Sequence, residues 1–462
     1  MWQAATSHSA RKGIALVGLL SCLLAVALWI GRAQLHVPLL IAAGATLFLA
    51  TLVKAEAGLT ILIASMLLSP EIGLGAAGGT SLEGRREVIL RTDDLILLLV
   101  GLAWVARMAI HKDLGAIRRT RLNASIGAFV TACLVSTLIG IELGRVRPLV
   151  GLCFIAKYIE YFIIFFMTVN YVRSADRLRR LLVAVLLTGA VILIYAYWQI
   201  PLGIRPSAPF EGPKGEPNTL GGYLVMMFSV SAAIALTVAD RRWRRACGAM
   251  AIAALPPLLA TLSRSSWVAL GASVVALLIL SPERRRLAGI GVVAAAFLFF
   301  VHPEGVAERI AYTFQGHSHS VSIAGLHLDP SSSARVASWG QALGAFAKHP
   351  FLGLGVTGFG FLDAQYFRLL VEVGIFGLAA FACLVGATGR ALLGASRGLQ
   401  DPLHRGLGMG MTAALAGLLA HAIWTNTFML IRIMEPFWLL TGLVVAATAL
   451  EAAPHLEEEA RA

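Results

Sequence analysis

The sequence predicts an all-α fold: a polytopic transmembrane helical bundle of about 12–14 helices, with one long external loop containing amphipathic helices. Three observations predict it. The 462 residues are 58% hydrophobic and only 14% charged, where a soluble domain carries roughly a quarter charged residues. Apolar runs of about 17 to 20 residues, long enough to cross a bilayer core, follow one another along most of the chain. Arginines crowd every second connection between those runs.

The runs fall near 13–30, 35–53, 55–70, 93–110, 123–142, 150–169, 181–199, 219–238, 246–262, 265–280, 287–302, 369–389, 407–425 and 430–450. The first follows Arg11 and Lys12 but shows no small-residue cleavage site after Ile30, so it reads as a retained spanning helix. The short run at 55–70 and the pair flanking Ser263 read as half-helices or re-entrant segments. The organisation is N-terminal transmembrane helices over 1–302, a long periplasmic loop over 303–368 that carries site residues, and C-terminal transmembrane helices with a short cytoplasmic tail over 369–462.

One set of connections is short and arginine-rich, with Arg107, Arg118, Arg119 and Arg121, then Arg173, Arg177, Arg179 and Arg180, then Arg241, Arg242, Arg244 and Arg245. The positive-inside rule places this set and both termini in the cytoplasm. The opposite face receives loops near 71–92, 143–149, 200–218, 263–264, 303–368 and 426–429. The net charge of +13 is thus distributed for membrane orientation, and no nucleic-acid partner is expected. Cys22, Cys133, Cys153, Cys247 and Cys383 sit in apolar runs without paired spacing, as small hydrophobes. No metal site is expected, because His317, His319 and His327 fit no standard ligand spacing. No Walker-type loop is present.

The polar candidates converge on the external face. In EGPKGEPNTLGGYL (211–224), Asn218 or Thr219 caps the following helix, whose N-terminus favours an anion that Lys214 would help to hold. In TLSRSSW (261–267), Arg264 stands between two apolar runs; it snorkels to the interface, or it grips phosphate oxygens through paired hydrogen bonds. Lys157 and Glu160, at i and i+3, form an intramembrane pair or a site wall. Arg335 and Trp339 lie one turn apart on an amphipathic helix, as a surface helix or as a lid. His349, before Pro350, ends that helix. Asp363 precedes the return into the membrane, as a turn residue or a general base.

With these residues in view, the chain resembles the O-antigen ligase and O-antigen polymerase superfamily, bacterial inner-membrane glycosyltransferases that use lipid-linked glycans. The resemblance covers about 150–390. It rests on KYIEYF, EPNTLGGYL, TLSRSSW, SSARVASWGQALGAFAKHPFLGLG and VEVGIFG in that order around a long external loop. It implies a glycan on undecaprenyl diphosphate as donor and a glycan or lipid-linked hydroxyl as acceptor. It also implies a periplasmic site in the inner membrane, no cofactor, metal or nucleotide sugar, and arginines that hold the diphosphate. By motif position those arginines are Arg264 and Arg335. Where ligases carry His-Asn, nine residues and Gly-x-x-Gly, this chain has Asp363 and Ala364, nine residues, then Gly374 and Gly377. The departure favours a polymerase-like or exopolysaccharide enzyme over a ligase to lipid A-core. The expected catalytic residues are Asp363, Arg335 and Arg264, with Lys214, Asn218, Arg147, Arg368, Glu372 and His349 binding substrate. Membrane lipids and envelope polysaccharide assembly proteins are the remaining expected partners. A polysaccharide transporter or flippase, and a non-catalytic scaffold, are the readings from other classes.

Overall fold

This computed structural model describes residues 36–72, 90–110, 118–211, 215–281, 283–284, 322–323, 326–327, 330–360 and 362–459. The apolar runs at 13–30 and 287–302, and Lys214, lie outside the described residues.

Every other apolar run is a helix. In chain order these are α1 His36–Val53, α2 Ala55–Leu68, α3 Thr92–Ile110, α4 Asn123–Glu142, α5 Pro148–Tyr171, α6 Ala175–Gln199, α7 Pro217–Thr237, α8 Arg241–Ala260 and α9 Arg264–Leu280. The amphipathic α10 spans Pro330–Lys348 and precedes α11 Gln365–Gly398, α12 Pro402–His421 and α13 Ile431–Glu459. The extended segments among the described residues are two two-residue antiparallel pairs, β1 Glu71–Ile72 with β2 Leu90–Arg91 and β3 Ser322–Ile323 with β4 Leu326–His327. Six described helices, α4, α5, α6, α7, α11 and α13, are long and apolar enough to cross a membrane. The chain is a polytopic helical membrane protein.

Local chemistry sets the helix ends. Ser174, Asp240, Ser263 and Asp401 stand at N-caps and accept backbone N–H bonds from the first turns of α6, α8, α9 and α12. Pro148, Pro217 and Pro402 occupy opening positions, where the missing N–H costs nothing. α7 therefore starts at Pro217, with Glu216 in the cap position, and Asn218 and Thr219 lie inside the first turn rather than capping it. α8 also starts before its apolar run, because Asp240 nucleates a first turn of arginines.

α7 and α13 form the centre: 83% and 78% of their apolar windows are buried, against 33% for α4. α12 packs closely on α7 and α9 because it carries small residues at the contacts. A side chain at Gly410 would meet the Val230 and Ser229 backbone, and one at Gly417 the Ala269 carbonyl. Trp438 of α13 meets Phe162 and Phe165 of α5 edge-on and stacks on Tyr161.

α11 is broken at Gly374, where φ is +67° and ψ is −167°. The glycine-rich loop after α10 fills the break. Leu354 and Gly355 donate to the carbonyls of Val371 and Glu372 (3.0 and 2.8 Å), and Ile375 donates to Pro350 (2.9 Å). Ser136 of α4 donates to the Leu352 and Glu372 carbonyls, and Val356 N–H donates to Thr137 (3.0 Å). Gly353 and Gly355 adopt positive φ here. Their freedom lets the loop approach its own helix.

Gly374→Ala should destabilise the protein by at least roughly 1–2 kcal/mol, from the left-handed backbone alone, and overlap with the Phe351 carbonyl adds to this. Gly271→Ala, with nothing within 4 Å of the new methyl, should change stability little. Thermal unfolding of the purified variants in detergent checks both; a wild-type melting temperature for Gly374→Ala would contradict the break.

Candidate functional site

The described residues of the loops joining α2–α3, α4–α5, α6–α7, α8–α9, α10–α11 and α12–α13 meet at one end of the bundle. Arg432, at the start of α13, donates to the carbonyls of Leu67 (3.1 Å) and Pro209 (2.8 Å), and its Nε lies 3.6 Å from Glu211 Oε1. Arg205 donates twice to the Thr261 carbonyl (2.9 and 2.8 Å). Val146, beside Arg147, packs against Gly355. All three described non-glycine residues with positive φ, Phe210, Leu262 and Thr357, lie in this layer. Backbone strain of that kind concentrates where a structure holds a loop for function.

Within the layer, Asp363 occupies the turn before α11. Its Oδ2 lies 3.8 Å from Arg335 Nη2 on α10, and its Oδ1 accepts from Asn426 Nδ2 at 3.4 Å. Asn426 also donates to the Leu362 carbonyl (2.7 Å), which fixes the turn to the α12–α13 connection. Gln365 continues the same clamp: its N–H donates to the Ala422 carbonyl (3.1 Å), and its side chain accepts from Phe428 N–H (3.1 Å). Trp339 stacks on Phe367 at 4.9 Å and docks α10 on α11, so Arg335 is presented from a seated helix.

Arg264 opens α9 and is half-buried. Its neighbour Ser265 accepts from Thr425 (3.3 Å), next to Asn426, so the start of α9 packs against the same α12–α13 connection that holds the Asp363 turn. Ser266 contacts His421 Nε2 at 3.2 Å, and His421 Nδ1 lies 2.8 Å from Thr427 Oγ1. A side chain at Gly221 would overlap Ser266, so α7 and α9 start side by side. The N-termini of α7, α9 and α11 thus converge, and each brings partial positive charge.

Burial pushes the Asp363 carboxyl above the ordinary carboxylate range; Arg335 opposes this and the charge of Glu216 adds to it. Burial likewise raises Glu211 to about 7, with Arg432 and backbone N–H donors working against it.

Arg368 and Glu372 are brought to each other rather than to the Asp363 turn. They pair at 3.4 Å, buried beneath the glycine-rich loop, and Glu372 Oε1 accepts from Thr357 N–H (3.2 Å). His349 terminates α10, where its N–H donates to the Phe346 carbonyl and its own carbonyl accepts from Gly353. Arg147 is exposed at the start of α5. Asn218 is half-buried in the first turn of α7. Lys157 does approach Glu160 (3.6 Å), but its nearer partner is Asp94 of α3, within a buried cluster that includes Arg91 and Asp93. Sequence reasoning passed over Asn426 and Arg432 and gave Gln365 no role. A buried arginine inside an apolar run is costly unless partnered, and that signal pointed to Arg432. Nothing local distinguished Asn426.

Residues 249–382 match the family model described as O-antigen ligase. That segment is similar to the O-antigen ligase and polymerase superfamily. The matched segment runs from α8 to the first half of α11 and contains Arg264, Arg335 and Asp363. No curated protein matches the chain. The match supports a role in surface polysaccharide biosynthesis, a family context that implies lipid-linked glycan and glycan acceptor substrates.

Glu211 gives this layer of loops a measurable pH dependence. Its folded value, about 7, exceeds its ordinary 4.5, so the folded state holds the proton more tightly. That stabilisation is complete below the ordinary value and is lost as pH rises through about 7. The expected size is on the order of 3 kcal/mol. Melting temperature should therefore fall between about pH 5 and pH 8, with a smaller fall in Glu211→Gln. Parallel curves would contradict the assignment.

Proposed function

We propose that this chain extends surface polysaccharide by transferring an undecaprenyl-diphosphate-linked glycan to a sugar hydroxyl on the periplasmic face of the inner membrane, as a polymerase-like inverting glycosyltransferase. The observation that carries the reading is the Asp363 carboxylate, buried enough to be raised, held by Asn426 and facing Arg335 where three helix N-termini meet.

In this reading Asp363 accepts the proton of the acceptor hydroxyl. The freed oxygen attacks the anomeric carbon, the bond from that carbon to the diphosphate oxygen breaks, and undecaprenyl diphosphate leaves with the bonding electrons. Single displacement inverts the anomeric centre. Arg264 and Arg335 stabilise the charge that develops on the leaving diphosphate, with the converging helix ends. Arginine suits this role because its planar fork binds phosphate oxygens in pairs. These cations supply the charge that a metal ion or nucleotide handle supplies elsewhere, so the proposed chemistry draws on neither. Arg147, Lys214 and Asn218 extend the anion-binding surface. Arg368, Glu372 and His349 act on substrate through the loop that they support. The family description favours a second reading, an O-antigen ligase acting on lipid A-core, with Asp363 in place of the histidine base.

The test is transfer in vitro by purified protein in nanodiscs, with undecaprenyl-diphosphate oligosaccharide and no added metal or nucleotide. A ladder of longer glycans with release of undecaprenyl diphosphate is expected from the wild type. Arg264→Ala and Arg335→Ala should lose at least about 10²-fold in rate. Transfer only on addition of lipid A-core establishes the ligase reading. Intact donor throughout would sink both and favour transport.

A second measurement concerns the base. Asp363 works when ionised, so rate should fall as pH drops through its raised value, with an acid limb above the ordinary carboxylate value of about 3.9. In Arg335→Gln the opposing charge is gone, so the limb of the remaining activity should move to higher pH. An unmoved limb would remove Asp363 from the role of base.

A further inference from the structure

The other end of the bundle carries a second constellation of cations. The C-termini of α1, α3 and α5 meet the N-termini of α2 and α6 there, around a cavity of about 740 Å³. Lys54, Arg107, Arg173, Arg177 and Arg180 line it, against a single carboxylate among the described lining residues, Glu56. That carboxylate is engaged: Arg180 grips both of its oxygens, and Tyr171 donates to one at 2.9 Å. Arg107 caps α1 through the Leu52 and Val53 carbonyls (2.6 and 2.8 Å), and Arg177 lies 5.0 Å over the Tyr171 ring. The guanidinium groups are thus held in place around the cavity, and the cavity is left strongly positive.

A second, apolar cavity of about 430 Å³ adjoins it. Val53 and Lys54 line both, and Thr46, Leu49, Ala50 and Ala57 continue the second along α1 and α2. Leu49 and Val53 are 58% and 70% exposed, so this groove opens away from the protein core on the apolar side of α1. A basic chamber continuous with an apolar groove fits a molecule with an anionic phosphate head and a hydrocarbon tail. A free anion would use only the chamber. Arginine and lysine pockets at helix ends in the cytoplasmic half of a membrane recognise anionic headgroups in this way.

We infer that the arginine-rich end of this bundle is a binding site for an anionic phospholipid of the bilayer, its phosphate among Lys54, Arg173 and Arg177 and one acyl chain along the α1–α2 groove. The site lies at the opposite ends of the helices from Asp363 and does not depend on glycosyl transfer.

Native mass spectrometry of the full chain in neutral detergent tests it. Equimolar phosphatidylglycerol and phosphatidylcholine with the same acyl chains are offered, and pyrophosphate is offered alone in a separate arm. Retention of phosphatidylglycerol over phosphatidylcholine by about tenfold or more is expected. Lys54→Gln combined with Arg173→Gln, both exposed, should remove most of that preference. Thr46→Trp fills the groove and should weaken phosphatidylglycerol while leaving pyrophosphate unchanged. Equal retention of the two lipids, or a preference untouched by either variant, overturns the inference. Pyrophosphate binding as tight as phosphatidylglycerol and lost in the Lys54→Gln, Arg173→Gln variant, which leaves Arg264 and Arg335 in place, with no effect of Thr46→Trp on the lipid, would assign a free-anion site instead and also overturn it. Because the readout is retained lipid, a failed transfer assay leaves this result standing.

Discussion

The break in α11 at Gly374, and the loop that fills it, organise the working end of the molecule. A helix interrupted among membrane helices exposes backbone groups that lipid cannot satisfy. The chain answers with its own backbone: Leu354, Gly355 and Ile375 bridge loop and helix, and Ser136 and Thr137 bring α4 to the same seam. Once the loop is seated, the turn at Leu362 and Asp363 has one place to go. Asn426 and Gln365 then tie that turn to α12 and α13. The position of Asp363 therefore depends on backbone contacts at the break, outside the turn itself.

This dependence also explains what the sequence revealed. Apolar runs gave the helices because a spanning segment must satisfy its own backbone, a constraint written locally. The alternation of arginine gave the grouping of the loops, since the same sets of connections meet at the same ends. Partnerships across the fold were not local. Gly353 and Gly355 carry no local mark of the use their freedom finds, which is the close approach to α11. Arg368 and Glu372 read as substrate ligands beside Asp363; helical spacing turns them toward each other and under the loop. Lys157 and Glu160 were legible as a pair at i and i+3, but Asp94, distant in sequence, is the closer partner. Asn426 carried no mark at all, since one amide in a short connection between apolar runs looks like any loop residue.

The charges fall into two groups. At the layer of loops, Arg335 stands at 3.8 Å from Asp363, close enough to lower its carboxyl but not to saturate it. Beside it, Arg91, Asp93, Asp94 and Lys157 form a set of buried pairs, joined to the layer through Ser69, which accepts from Arg91 at 3.2 Å and whose carbonyl lies at 3.5 Å from Arg432. Such a set contributes little net stability over apolar packing, but breaking one member leaves a charge uncompensated in the membrane. It fixes how α3, α5 and α13 align beneath the loops.

In the proposed reaction Asp363 would be the base, and the geometry around it bears on that role. A base in this reaction must be ionised or neutral as required near working pH, and an ordinary carboxylate is too weak. Burial raises the Asp363 carboxyl above the ordinary carboxylate range, while Arg335 acts against that rise. Asn426 holds one oxygen in place without neutralising it, because an amide N–H donates and carries no charge. The opposing influences act on the same carboxylate from different helices, so its basicity is a property of how α10, α11 and the α12–α13 connection pack together.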